Sequence, residues 1–201
     1  YFEDDVLKKV TSAYYGMISY LDENIGKLMD TLEKTGLSGN TRVIYSSDHG
    51  ESMGQKGMFS KCNMYEESAG IPMIISGPDL PQGQEVDTPT QLMDIFPTIL
   101  EATGVNAKDE DQELKGHSLI SLAQGETPER SILSEQHSAG AKSAVYMIRK
   151  GKWKYVHYVE GYSSQLFNLE EDPNELIDLG SHPDCSNQLV MMEQELRKHL
   201  D

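Results

Sequence analysis

Two short runs constrain this chain more than any other feature. Thr41–Ser47 (Thr-Arg-Val-Ile-Tyr-Ser-Ser) and Ile71–Ser76 (Ile-Pro-Met-Ile-Ile-Ser) read as strands, each nearly continuous in apolar residues. That pattern belongs to strands covered on both faces by helices. Ahead of them, Val6, Val10, Ala13, Met17, Leu21, Ile25, Leu28 and Leu32 recur at steps of three and four. The spacing predicts one continuous amphipathic helix, stopped by Gly36. A second helix is predicted over Leu92–Thr103, with Pro97 near its first turns and Gly104 past its end. The fold class is therefore α/β.

The pattern changes after Gly125. Ile132–Glu135, Ala144–Arg149 and Trp153–Tyr158 are short β-type runs, and Gly151 between the last two suggests an antiparallel hairpin. Gln165–Leu169 adds a fourth strand, and Cys185–Leu200 reads as a closing helix. We expect an α/β section over 1–125, then a small α+β subdomain over 126–201 with an antiparallel sheet and a terminal helix. The polar, acidic stretch Asn106–Glu113 reads as a loop.

With 201 residues the chain can bury a core without disulfides. Cys62 and Cys185 lie far apart and lack metal-type spacing, so no disulfide is predicted. Seventeen Lys and Arg against thirty-three Asp and Glu give a net charge of −16, the wrong sign for a nucleic-acid binder. No apolar run approaches the ~20 residues of a bilayer span. The sequence opens Tyr-Phe-Glu-Asp-Asp, with neither Met nor a signal pattern. The simplest expectation is a piece of a longer protein, which leaves the compartment open.

The sharpest chemical feature is Ser47-Asp48-His49-Gly50-Glu51, at the end of the first predicted strand. Ligands of open α/β sheets gather outside the carboxyl ends of strands. If the chain turns at Gly50, Asp48 and His49 can both face a metal. A carboxylate with an imidazole suits Ca²⁺, Mn²⁺, Mg²⁺ or Zn²⁺. Taken alone, the tripeptide is also what a capping Asp and a surface His would give. Glu51 either orients His49 or faces water.

The segment Ser47–Gly54 continues to Lys61, then to Tyr65-Glu66-Glu67-Ser68 and Ile71-Pro72-Met73. Together these closely resemble the sulfatase branch of the alkaline phosphatase superfamily. So do Tyr14–Asp22 with Gly26, Gln91–Thr98, Gly116-His117-Ser118-Leu119, Lys154-Tyr155, Gln165–Leu169 and Asp172-Pro173-Asn174-Glu175, in that order. His at the second metal position resembles choline-sulfatase-like enzymes and phosphonate monoester hydrolases more than many arylsulfatases.

The resemblance implies the C-terminal part of an alkaline-phosphatase-like sandwich and sulfate-ester hydrolysis, with phosphonate or phosphate ester hydrolysis in the same superfamily, or a non-catalytic metal-binding module, as the alternatives. It implies Asp48 and His49 as ligands of a divalent metal, calcium first, with Mn²⁺ or Mg²⁺ as alternatives. It implies Lys61 as the residue that binds the substrate's sulfate group. The family's nucleophile is a formylglycine made from Cys or Ser within Cys/Ser-x-Pro/Ala-x-x-Arg. Neither Cys62 nor Cys185 lies in such a motif. The formylglycine and the remaining metal ligands are then expected in a missing N-terminal part, and the chain should pair with that part, form a homo-oligomer, or both. His137 either reaches the substrate pocket or is a surface residue, and Arg149 and Trp153 read as packing and surface residues.

Overall fold

The computed structural model describes residues 3–111, 114–137 and 142–200. Helix α1 runs Asp4–Lys34, with Asp4 and Asp5 at its positive end and Lys34 at its negative end. It closes in a Schellman turn. Leu37 N–H donates to Leu32 C=O (2.9 Å), Gly36 N–H donates to Glu33 C=O (3.0 Å), and Gly36 takes φ +71°. Strand β1 (Val43–Ser46) pairs antiparallel with β2 (Met73–Ser76), Val43 opposite Ser76 and Ser46 opposite Met73.

Both strands carry the pattern of elements covered on both faces, and in this chain Tyr45 and Ile74 are exposed and none of the 31 residues of α1 is buried. The apolar patterns are those of covered elements, and this chain supplies too little structure to cover them.

Between the strands, helix α2 (Glu66–Ala69) forms a single turn. Helix α3 (Ile95–Thr103) begins three residues later than predicted, after a 3₁₀ turn at Leu92–Asp94. Gly104 ends it at φ +67°. A buried bidentate pair fixes this corner: Arg130 donates to both oxygens of Asp94 at 3.0 and 2.8 Å. Asp94 also accepts the Gln91 and His117 N–H groups. The loop after α3 contains a short 3₁₀ turn at Asp109–Asp111, and its predicted last residues, Gln112 and Glu113, lie outside the described residues. Gly116–Ser118 leads into helix α4 (Leu119–Ala123), where the Ser118 hydroxyl accepts the Ile120 N–H.

The later residues build a four-stranded antiparallel sheet in sequence order: β3 (Ser131–Gln136), β4 (Val145–Lys150), β5 (Trp153–Tyr158) and β6 (Gln165–Asn168). Helix α5 (Ser186–Leu200) closes the chain. Strand alternation assigns the two faces. Ile148, Tyr155 and Leu166 pack against Met192 and Leu196 of α5. Val145, Met147 and Val156 point the other way, onto Met64 and Ala69 beside α2. The small sheet is thus a wall against which the long β1–β2 connection rests.

Candidate metal and anion site

The site begins where β1 ends. The Ser47 hydroxyl donates to the His49 carbonyl (2.8 Å), and Asp48 Oδ1 accepts the His49 N–H (3.0 Å). This leaves Oδ2 of Asp48 3.5 Å from His49 Nε2. His49 Nδ1 lies 2.8 Å from the Gly50 carbonyl. A carbonyl only accepts, so Nδ1 carries a proton, and in the neutral ring Nε2 is then the nitrogen with the lone pair, the tautomer a metal ligand needs. The side chains of Asp48 and His49 are 82% and 38% exposed, so the pair faces outward with room for further ligands. Among the described residues no group of three or more His, Cys, Asp or Glu side chains is placed to hold a metal. The donor set fits a divalent cation chemically but supplies only part of a coordination shell.

Gly50 is required for a different reason from the one expected. Its φ is not among the positive values. A Cβ there would lie 2.2 Å from the Glu67 carbonyl oxygen, while the Gly50 N–H donates to Ser68 C=O at 2.8 Å. Glycine permits close approach of two backbones, not a turn.

Glu51 neither orients His49 nor faces water freely. Its carboxylate accepts the N–H of Met53 at 3.4 Å and that of Ser60. Ser52 N–H donates to Ser60 C=O (2.9 Å), and buried Ser52 accepts the Asn63 amide at its hydroxyl. These bonds fold the loop back on itself and return Ser60, and Lys61 after it, toward the end of β1. Met53, Lys56, Ser60 and Cys62 are all left-handed, at φ 48°, 52°, 67° and 72°. Such residues cost about 1–3 kcal/mol each and persist only where surrounding bonds enforce them.

The two loop lysines differ in their surroundings. Lys56 Nζ bonds Glu67 Oε1 at 2.6 Å and sits 4.7 Å from the Tyr65 ring centre. Burial pushes the Glu67 carboxyl up, and the Lys56 ammonium outweighs it, leaving Glu67 below the usual carboxylate range. Lys61 is exposed, lies between two left-handed residues, and has no hydrogen-bond or ion-pair partner among the described residues.

Behind the loop is a cluster that sequence reasoning missed. Lys154, fully buried on β5, donates to Glu66 Oε1 at 2.8 Å and forms an ion pair with Glu175 Oε1 at 2.7 Å. Glu175 Oε2 accepts the Glu66 N–H at 2.6 Å. Burial pushes the Glu175 carboxyl up, against the pull of Lys154 and the Glu66 N–H. A signal was present: Lys154 shares strand parity with inward-facing Val156. His137 bonds Glu135 at 2.9 Å and stacks edge-on against Tyr146, which is a surface arrangement. Arg149 lies 3.7 Å from Glu66. Both cysteines are free.

With its strand ending in an outward Asp–His pair and its antiparallel sheet closed by a helix, the chain shares the alkaline-phosphatase-like α/β fold of solved sulfatases. The solved structure of a 2-O GAG sulfatase superimposes with a TM-score of 0.90 at 25% identity, over 99% of this chain and 44% of that one. Phosphonate monoester hydrolase of Agrobacterium radiobacter superimposes with a TM-score of 0.81 at 26% identity, over 96% of this chain and 41% of its own.

The sequence narrows the class. The family described as Sulfatase matches residues 2–105, and the one described as N-sulphoglucosamine sulphohydrolase, C-terminal, matches residues 54–201. Choline-sulfatase of Rhizobium meliloti (strain 1021) is 36% identical over 180 residues, 90% of this chain and 35% of that relative. The chain belongs to the sulfatase family, and it spans little more than a third of that relative's length.

Proposed function

We propose that this chain forms the metal- and sulfate-binding wall of a sulfuric ester hydrolase, within a longer protein. The observation that carries the reading is the placement of His49: Nδ1 engaged by the Gly50 carbonyl, with Nε2 turned toward Asp48 Oδ2 at 3.5 Å. Asp48 and His49 would hold the divalent metal, Ca²⁺ first and Mn²⁺ or Mg²⁺ as alternatives. When bound, the cation stabilises negative charge on the sulfuryl oxygens. Lys61 donates from its ammonium to the same group, where charge builds as the S–O bond breaks. Glu51 and Ser52 keep Lys61 on that side of the loop through their bonds to Ser60.

The nucleophile, as formylglycine, and the remaining metal ligands belong to the preceding part of the longer protein. That part also covers the exposed stripe of α1 and the open face at Ile74, so the isolated chain should associate with it or with itself. The division at 125/126 into an α/β section and a small subdomain belongs to the same proposal. The two family matches overlap across residues 54–105 and draw no boundary there.

A second reading, a phosphonate or phosphate ester hydrolase, has specific support in the likeness to the Agrobacterium enzyme. The test compares p-nitrophenyl sulfate with a phenylphosphonate monoester on the full-length protein and its Lys61→Ala variant. The sulfatase reading expects the sulfate ester to be preferred. It also expects the variant to lose about a hundredfold in kcat/KM, the usual effect of removing one charge-stabilising donor. Unchanged kcat/KM in the variant would remove Lys61 from the site, and preference for the phosphonate would select the second reading.

A further inference from the structure

The α2 turn is gripped from two sides. On one side, Gly50 donates its N–H to Ser68 C=O, and its α-carbon lies so close to the Glu67 carbonyl that no side chain fits. Gly50 directly follows His49 and supplies the carbonyl that fixes its ring. On the other side, Glu175 accepts the Glu66 N–H, and Lys154 bridges the carboxylates of Glu66 and Glu175. Tyr65 adds two contacts to the same sheet face, its hydroxyl accepting the Gln165 amide at 3.1 Å and its ring lying 5.9 Å from that of Phe167.

Glu175 is left-handed at φ 51° and only 3% exposed. Glycine or asparagine suits that backbone better. What glutamate offers instead is a carboxylate with one oxygen accepting the Glu66 N–H and the other charge-paired with Lys154. One side of the turn belongs to the candidate metal ligands, and the other to the far end of the sequence.

We propose that the Glu175–Lys154 pair is a positioning device for the Asp48–His49 loop, acting through α2 and Gly50. This rests on the metal reading of Asp48 and His49. The pair touches neither metal nor substrate. It fixes α2 on the small sheet, and α2 in turn holds the backbone that orients the His49 ring.

The test uses the full-length protein, unsubstituted and as Glu175→Ala, Glu175→Gln and Ile148→Val. Two quantities are read: Ca²⁺ affinity by calorimetry on chelator-treated protein, and amide hydrogen exchange over residues 49–52. Glu175→Ala should weaken Ca²⁺ binding at least tenfold and speed exchange at Gly50 at least tenfold. Glu175→Gln keeps an acceptor for the Glu66 N–H and should lose less than threefold. Ile148→Val loosens the sheet core without touching α2 and should leave both readings unchanged. Should Glu175→Ala fail to fold, Lys154→Met is held to the same criteria. Glu175→Ala within twofold of the unsubstituted protein on both readings, or Ile148→Val matching it, overturns the proposal. If the unsubstituted protein binds no Ca²⁺, the metal reading fails and the exchange comparison alone decides the coupling.

Discussion

The two ends of this chain solve the burial problem differently. The four-stranded sheet and α5 are covered from within, Ile148 and Leu166 losing all exposure between sheet and helix. The first 46 residues have equally regular apolar patterns, yet α1 buries nothing and the β1–β2 pair keeps Tyr45 and Ile74 open. The Asp48–His49 pair lies at the end of the open region, while Glu66 beside it is tied to the closed one. The difference teaches that a regular apolar pattern does not by itself mean that the element is covered from within its own chain.

The contrast is most directly attacked in the closed region. Ile148→Ala removes a fully buried side chain between two layers and should cost about 3–4 kcal/mol, read from urea unfolding. A loss below 1 kcal/mol would mean the sheet and α5 are not a tight core.

Acid should act on the same region. Glu195 accepts from Lys198 foremost, and also from Ser131 and Lys150, and its carboxyl is held down to about 2 from an ordinary 4.5. A depressed carboxylate contributes stability above its unfolded value, and that contribution is lost as pH falls from 4.5 toward 2. With a side chain 14% exposed, the depression corresponds to on the order of 3 kcal/mol. Burial holds His199 below its ordinary 6.5, so its contribution also fades as pH falls from there. Unfolding at pH 5 and pH 3 should show a steep loss that Glu195→Gln flattens. By contrast, the Lys27–Glu23 pair on α1 is exposed on both sides and should contribute little at either pH.

The smallest effect is expected in the open region. Leu21→Ala on α1, already 49% exposed, should change the stability of the isolated chain by less than about 0.5 kcal/mol. The same substitution in the full-length protein should cost about 2 kcal/mol or more if the preceding part covers the stripe. Equal effects in both settings would break the comparison.

Much of this was legible from residues. The α1 stripe, its stop at Gly36, the Gly151 hairpin and the closing helix follow from periodicity and backbone chemistry, and the structure places them within a few residues of expectation. The short helices α2 and α4 were not, because four or five residues give no helical period to read. The Asp48–His49 pair was visible as a motif, but the reason for Gly50 was not, since the approach of Glu67 is a long-range contact. The Glu66–Lys154–Glu175 cluster joins positions up to 109 residues apart, and only the strand parity of Lys154 hinted at it.

The central claim is that Asp48 and His49 Nε2 share one divalent cation. It is tested most directly by a crystal structure of the full-length protein grown with CaCl₂. The expected result is an ion bound by the Asp48 carboxylate at ~2.4 Å and faced by His49 Nε2, with Nδ1 still on the Gly50 carbonyl. An ion bound elsewhere while Asp48 and His49 both point to solvent would contradict it.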